Sequence, residues 1–248
     1  MAQSFGTIAD DYARFRPAPH PDAAAWLVPA RAELVVDLGA GTGALTALLV
    51  EHATEVVAVE PDERMRAVLS GRLGELRALP GSAEEIPVPD GAADAVVGSS
   101  MWHWVDEERA IPEVARVLRP GGILGLVWSG PNRADAWVVE LLNGGSSLDE
   151  EERDALVERR RQRHSVHLPD GSPFDEPETR SFPWTQMMTA DELIGLATTY
   201  SRTLVMGPDE RGAMIEELRA YVQRHPALAG RERIEMPMRS YCWRSRRH

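Results

Sequence analysis

The chain predicts an α/β fold: a doubly wound, mostly parallel sheet with an antiparallel closing strand and a helical cap. Three observations predict it. From residue 34 onward, short apolar runs alternate with segments of helical period, the pattern of strand–helix–strand crossovers in a parallel sheet. The first run, Leu34-Val35-Val36-Asp37-Leu38, passes into Gly39-Ala40-Gly41-Thr42-Gly43 and then a helical stretch, so a buried strand feeds a tight turn that opens a helix. After Gly130 the alternation fades into helices and loop, and a strand-like run, Ile234–Trp243, closes the chain.

The elements follow in order. Leu34–Leu38 is the first strand and Gly43–His52 the first helix. Glu55–Glu60 is the second strand, stopped by Pro61. Asp62 caps a helix over Glu63–Leu73, whose Met65, Val68 and Leu69 fall on one face. Arg77–Leu79 is a short third strand, and Pro87, Pro89 and Asp90-Gly91 make the next stretch a loop. Asp94–Gly98 is the fourth strand. Asp106–Leu118 is a helix carrying Pro112; Arg119-Pro120-Gly121-Gly122 turns the chain, and Ile123–Trp128 is a fifth, fully buried strand. Beyond it, helices are expected over Ala134–Leu142, near Asp149–Arg163, over Ala190–Thr199 behind a Thr189/Glu192 capping box, and over Pro208–Arg224, with a strand over Ser181–Thr189.

Composition narrows the chemistry. The chain has 248 residues, 43% of them hydrophobic, and a net charge of −12, which disfavours polyanionic partners. No nucleic-acid or membrane partner is expected, since no apolar run approaches the roughly 18–20 residues that span a bilayer. The start lacks a signal-peptide pattern and Cys242 is the single cysteine, so a cytoplasmic location is expected. Every basic residue is arginine. A Schiff-base lysine and a Walker-A loop are therefore excluded. Two arginine clusters, Arg159–Arg163 and Arg244–His248, read as a solvated helix face and a solvated tail. His164 and His167 have H-x-x-H spacing but no third ligand stands out, and no metal is expected.

The glycine turn is the candidate cofactor site. Its glycines allow close backbone approach, and the helix start offers unpaired N–H groups. The run also satisfies the G-x-G-x-x-A dinucleotide fingerprint, with Glu60 about 20 positions on, where an acid takes ribose hydroxyls. Glycine spacing alone leaves nicotinamide and S-adenosylmethionine both open. Asp37 favours the second: a carboxylate there repels a pyrophosphate but supports a sulfonium or an ammonium.

Val35–Gly43 resembles motif I of class I S-adenosylmethionine-dependent methyltransferases. Val57–Met65 resembles their acid-bearing second strand and helix, Gly81–Asp90 their adenine loop, and Val117–Gly122 their turn before the fifth strand. Tyr12-Ala13-Arg14-Phe15-Arg16-Pro17 and Met101–Asp106 are similar to the small-molecule branch that includes trans-aconitate methyltransferase-like proteins. Ser99-Ser100-Met101 departs from that branch, where Gln and small residues are expected.

The resemblance implies a Rossmann-like fold in a single domain over 1–248. A helical lid would span 1–30, a cofactor-binding half 34–130, a substrate-side insertion 131–200, and a closing helix and strand 201–248. It implies S-adenosylmethionine held by Asp37, Gly39, Ala40, Gly41, Thr42, Gly43, Glu60, Pro61, Met65, Ser82, Ala83, Glu84 and Ser99. Tyr12, Arg16, Trp102 and Trp104 would meet a small-molecule substrate, and His103 would be either the general base or a packed wall residue. A non-catalytic cofactor binder and a nicotinamide oxidoreductase stay as alternatives.

Overall fold

The computed structural model describes residues 17–74, 76–199 and 206–248. Seven strands form one sheet: β1 (Ala32–Leu38), β2 (Ala53–Val59), β3 (Arg77–Leu79), β4 (Ala93–Ser99), β5 (Leu118–Pro131), β6 (Glu178–Met188) and β7 (Ile234–Arg246). Their order is β3-β2-β1-β4-β5-β7-β6. The first five are parallel, and β7 runs antiparallel to both β5 and β6. The helices are α1 (Pro21–Leu27), α2 (Thr46–Leu49), α3 (Glu63–Leu73), α4 (Glu107–Val117), α5 (Ala136–Leu142), α6 (Glu150–Arg163), α7 (Ala190–Thr198) and α8 (Pro208–Arg224).

Strand alternation builds two cores. Val36, Leu38, Val57, Val59, Val96, Leu124 and Leu126 meet α4 through Ala110, Ile111 and Val114. The intervening residues Val35, Val56, Ala95, Val97, Ile123 and Val127 meet α1 and the Leu45/Leu49 face. A third core joins α5, α7 and α8 to Met188, Met236 and Met238 at the ends of β6 and β7. Buried Asp94 ties the sheet at its base: its Oδ2 accepts from Glu33 N and Leu34 N at 2.7 and 2.9 Å, and Arg119 pairs with Oδ1.

The helix boundaries after β3 lie within two residues of expectation, and the Thr189/Glu192 capping box is present. Other segments differ for identifiable reasons. The first helix shrinks to α2, because left-handed Gly41 and Gly43 hold residues 41–45 in turns. Arg119–Gly122 is drawn out as strand rather than turn. Gly121 N donates to Arg247 O at 2.7 Å and Arg247 N to Gly122 O at 2.8 Å, so the chain's last residues zip along β5. The arginine tail is solvated only in part: Arg246 is exposed, whereas Arg244 lies 4.1 Å over the Trp26 ring and donates to Trp26 O at 2.8 Å. Within the 131–200 segment, Glu178–Met188 is a sheet strand, and α5, α6 and the following loop lie outside the sheet. Within the 1–30 segment, α1 packs beneath β5 and β7 as a core helix. Among the described residues no helix is long and apolar enough to cross a membrane.

Candidate active site

A cavity of about 1560 Å³ opens beyond the carboxyl ends of the parallel strands, where ligands of open α/β sheets bind. Each strand contributes the residue or turn that follows it. After β1, Gly39 and Gly41 line the cavity with φ of +62° and +57°, a backbone that side-chain-bearing residues adopt at a cost. After β2 come Glu60, Pro61 and, one turn into α3, Met65. After β3 come Ser82, Ala83 and Glu84. Ser99 ends β4, and Trp102, His103 and Trp104 form a 3₁₀ turn just beyond it.

Glu60 ties two elements together at the strand-end side of the cavity. It is 8% exposed. Its Oε2 accepts from Gly41 N and its Oε1 from Asp62 N, each at 2.9 Å. One carboxylate thus joins the glycine loop to the start of α3, and burial pushes its pKa up. Glu84 makes a similar link, accepting from Asp106 N at 2.9 Å at the start of α4.

Asp37 does not reach the cavity. Its parity along β1 is that of Val35, so the carboxyl points to the opposite face and meets α2, where Thr46 Oγ1 donates to Oδ2 at 2.5 Å. It is fully buried, and Oδ1 has no hydrogen-bond partner among the described residues. Burial raises its pKa from 3.8 to about 7, against the lowering effect of the Thr46 bond. Asp37, expected to support a cofactor, thus sits beneath the loop and does not line the cavity. Thr46→Val removes the hydroxyl donor and leaves only the backbone N–H of that residue facing this buried carboxyl; unfolding in urea is expected to show a loss of about 1–3 kcal/mol.

Ala40, Thr42 and Gly43 also lie off the cavity. Ala40 N donates to Val59 O at 3.2 Å and the Thr42 carbonyl accepts from Arg72 at 3.0 Å. A Cβ on Gly43 would sit 3.0 Å from both Leu69 and Leu73, so this glycine admits α3. Tyr12 and Arg16 lie outside the described residues. Trp102 is a core side chain at the cavity edge, its Nε1 donating to Glu107 at 2.5 Å, whereas Trp104 is exposed and tilts against His103 with ring centroids 4.8 Å apart. His103 opens onto the cavity, but the enclosing walls, with help from Arg163, lower its pKa to about 4.

Sequence reading passed over the far wall. Trp128 on β5, Leu156, Arg159, Arg160 and Arg163 on α6, and His164 all line the cavity. The arginines assigned to a solvated face share a helix face with Leu156 at i, i+3, i+4 and i+7 spacing, which was the available signal. Met101, given no role from the sequence, lies against the loop: a Cβ on Gly39 would meet its Cγ at 2.9 Å. Ser100 just before it holds φ at +55°.

A family model described as a methyltransferase domain matches residues 36–126. An uncharacterized methyltransferase of Mycobacterium tuberculosis (strain ATCC 25618 / H37Rv) is 41% identical over 245 residues, 99% of this chain and 96% of that protein. The chain belongs to the class I S-adenosylmethionine-dependent methyltransferases. An uncharacterized methyltransferase-like protein of Schizosaccharomyces pombe is 27% identical to this methyltransferase over 241 residues, covering 94% of this chain and 91% of its own. In fold, the methyltransferase is similar to a candidate type II methyltransferase from Anaeromyxobacter dehalogenans. That structure has a TM-score of 0.66 at 23% identity, over 94% of this chain and 98% of the other. The methyltransferase spans nearly the full length of these relatives, so its cap and closing strands are matched along with the motif-bearing half.

Proposed function

We propose that this methyltransferase moves the methyl group of S-adenosylmethionine directly onto a small-molecule acceptor, with the donor at the strand-end half of the cavity and the acceptor under the cap. The volume carries the reading: about 1560 Å³ in one continuous space exceeds the roughly 300–1,000 Å³ of a single-ligand pocket, leaving room for two reactants side by side. The donor end fits an adenosyl group. Gly39 and Gly41 bring bare backbone to it, Glu60 offers carboxylate lone pairs to ribose hydroxyls, and Met65, Ala83 and Pro61 give an apolar slot for a purine. When bound, S-adenosylmethionine supplies an electrophilic methyl on a sulfonium centre.

The protein's own part is alignment and the exclusion of water. No covalent relay through the thiol is called on: Cys242 is buried in β7, and burial pushes its pKa up to about 12. His103 stays a neutral imidazole at physiological pH and faces the space between the two halves, where it accepts a proton from, or orients, the acceptor. Because its pKa lies near 4, its base form is complete above about pH 5 and is lost only as pH falls through 4. The kcat profile is therefore expected to show no imidazole inflection between pH 5.5 and 8; a step near 6.5 would contradict this. The likeness of Tyr12–Pro17 and Met101–Asp106 to trans-aconitate methyltransferase-like proteins supports an acceptor of metabolite size.

Two measurements test the function. Calorimetric titration with S-adenosylmethionine and S-adenosylhomocysteine is expected to show micromolar-range binding. Incubation with isotope-labelled donor and a metabolite extract is expected to place label in a low-molecular-weight product. Binding without any labelled product would leave only a cofactor binder.

A further inference from the structure

The half of the cavity beyond His103 is walled by residues the donor does not use. Its floor is aromatic: the His164 ring stacks on Trp128, with centroids 5.1 Å apart and planes at 28°, and on Tyr241 at 5.9 Å and 16°. Above it, α6 presents one face in which Leu156 is followed by Arg159, Arg160 and Arg163. Leu142 and Leu148 extend the apolar part of the wall.

Observations on three sets of atoms agree about the ligand. Arginine only donates hydrogen bonds, and Arg163 opens onto the cavity with no ion pair among the described residues. The indole Nε1 of Trp128 is buried, and it has no hydrogen-bond partner among the described residues; buried donors are nearly always paired. His103 and His164 are both lowered to about 4, by enclosure first and then by arginine charge: Arg163 for His103, and Arg160, Arg239 and Arg163 for His164. No carboxylate figures among the charges acting on either ring.

The cavity's acids are spread around it, and one of them, Glu152, shares α6 with the arginines. Glu60 and Glu84 belong to the strand ends. Asp106, Glu107 and Glu108 stand at the start of α4, where Glu107 accepts from Trp102 Nε1 and from His167 N. Glu152 sits about two turns before Arg159 on α6 and accepts from Asp149 N.

We infer that the acceptor of this methyltransferase is an organic anion with an apolar body, a carboxylate or phosphate head lying between the α6 arginines and the Trp128–His164 floor while the body packs on Leu142, Leu148 and Leu156. The inference rests on the donor occupying the strand-end half. A planar guanidinium offers an anion paired, charge-assisted hydrogen bonds. The leucines and stacked rings reward an apolar body, which a small polyanion lacks. An arginine wall in a chain of net charge −12 is a local feature set against the global field.

The test uses the full chain saturated with S-adenosylhomocysteine and reads tryptophan fluorescence during titration with 3-phenylpropionate, phenyl phosphate and the uncharged 3-phenylpropionamide. At least one anion is expected to bind tenfold or more tightly than the amide, and whichever of the two wins names the head group. Arg163→Gln is expected to remove at least tenfold of that preference while amide binding stays unchanged, and Arg163→Lys to restore part of it. Equal binding of anions and amide, no binding of either, or a preference that survives Arg163→Gln overturns the inference. The preceding S-adenosylhomocysteine titration is read separately, so a failed donor site is told apart from a failed anion site.

Discussion

Glu60→Ala is expected to weaken S-adenosylmethionine and S-adenosylhomocysteine binding at least tenfold, about 1.4 kcal/mol or more, by calorimetric titration. Two losses combine. The ligand loses a carboxylate acceptor, and bonds to charged groups contribute about 1.5–3 kcal/mol each. The protein loses the bridge in which one carboxylate holds Gly41 N and Asp62 N, so the glycine loop and the start of α3 are no longer locked to each other. Glu60→Gln, which keeps one amide oxygen but cannot accept at both ends, is expected to fall between wild type and alanine. A Glu60→Ala chain that binds both ligands as wild type does would show that the donor lies elsewhere.

Asp37→Asn is expected to flatten the pH dependence of stability between pH 4 and 8. The folded-state pKa of about 7 lies above the ordinary 3.8. Between those values the native chain keeps a proton that the unfolded chain has released, so stability falls as pH rises. This contribution is complete below about pH 4 and lost as pH passes through 7. A shift of that size corresponds to about 4 kcal/mol at most. His103 and His164, lowered to about 4, act in the opposite sense, since the unfolded chain binds their protons first. They are common to both proteins and cancel in the comparison. Urea unfolding at pH 4.5 and 8 is expected to show the variant gaining about 2–4 kcal/mol on wild type across the interval. A constant difference would mean that the Asp37 carboxyl is ionised throughout.

The parallel half of the sheet was readable because its signals are local. A strand's apolar run, a glycine turn and Asp62 as a helix cap sit within a few residues of what they determine. Glu60, Met65, Ser82, Ala83 and Ser99 meet at one cavity since parallel strands bring their ends together. What escaped reading depended on distant partners. Arg119–Gly122 carries turn chemistry and becomes strand because residues more than a hundred positions later pair with it. Asp37 was placed by its neighbours in sequence, but side-chain parity along β1 decides which face it serves, and that face holds Thr46. The α6 arginines look the same beside bulk water or a water-filled cavity, since both wet environments favour charged side chains; only the position of α6 above the sheet separates them.

The late insertion of β7 between β5 and β6 has a consequence for biosynthesis. Until residues 234–246 leave the ribosome, β5 presents an open edge and β6 has no neighbour at all, although every parallel strand has already been made. Ser240, which accepts from His20 N, joins opposite ends of the polypeptide, so loop closure over most of its length precedes the final arrangement. The nascent protein therefore passes through a stage with bare strand edges open to self-association, and trimming within β7 would leave each trimmed copy in that exposed state.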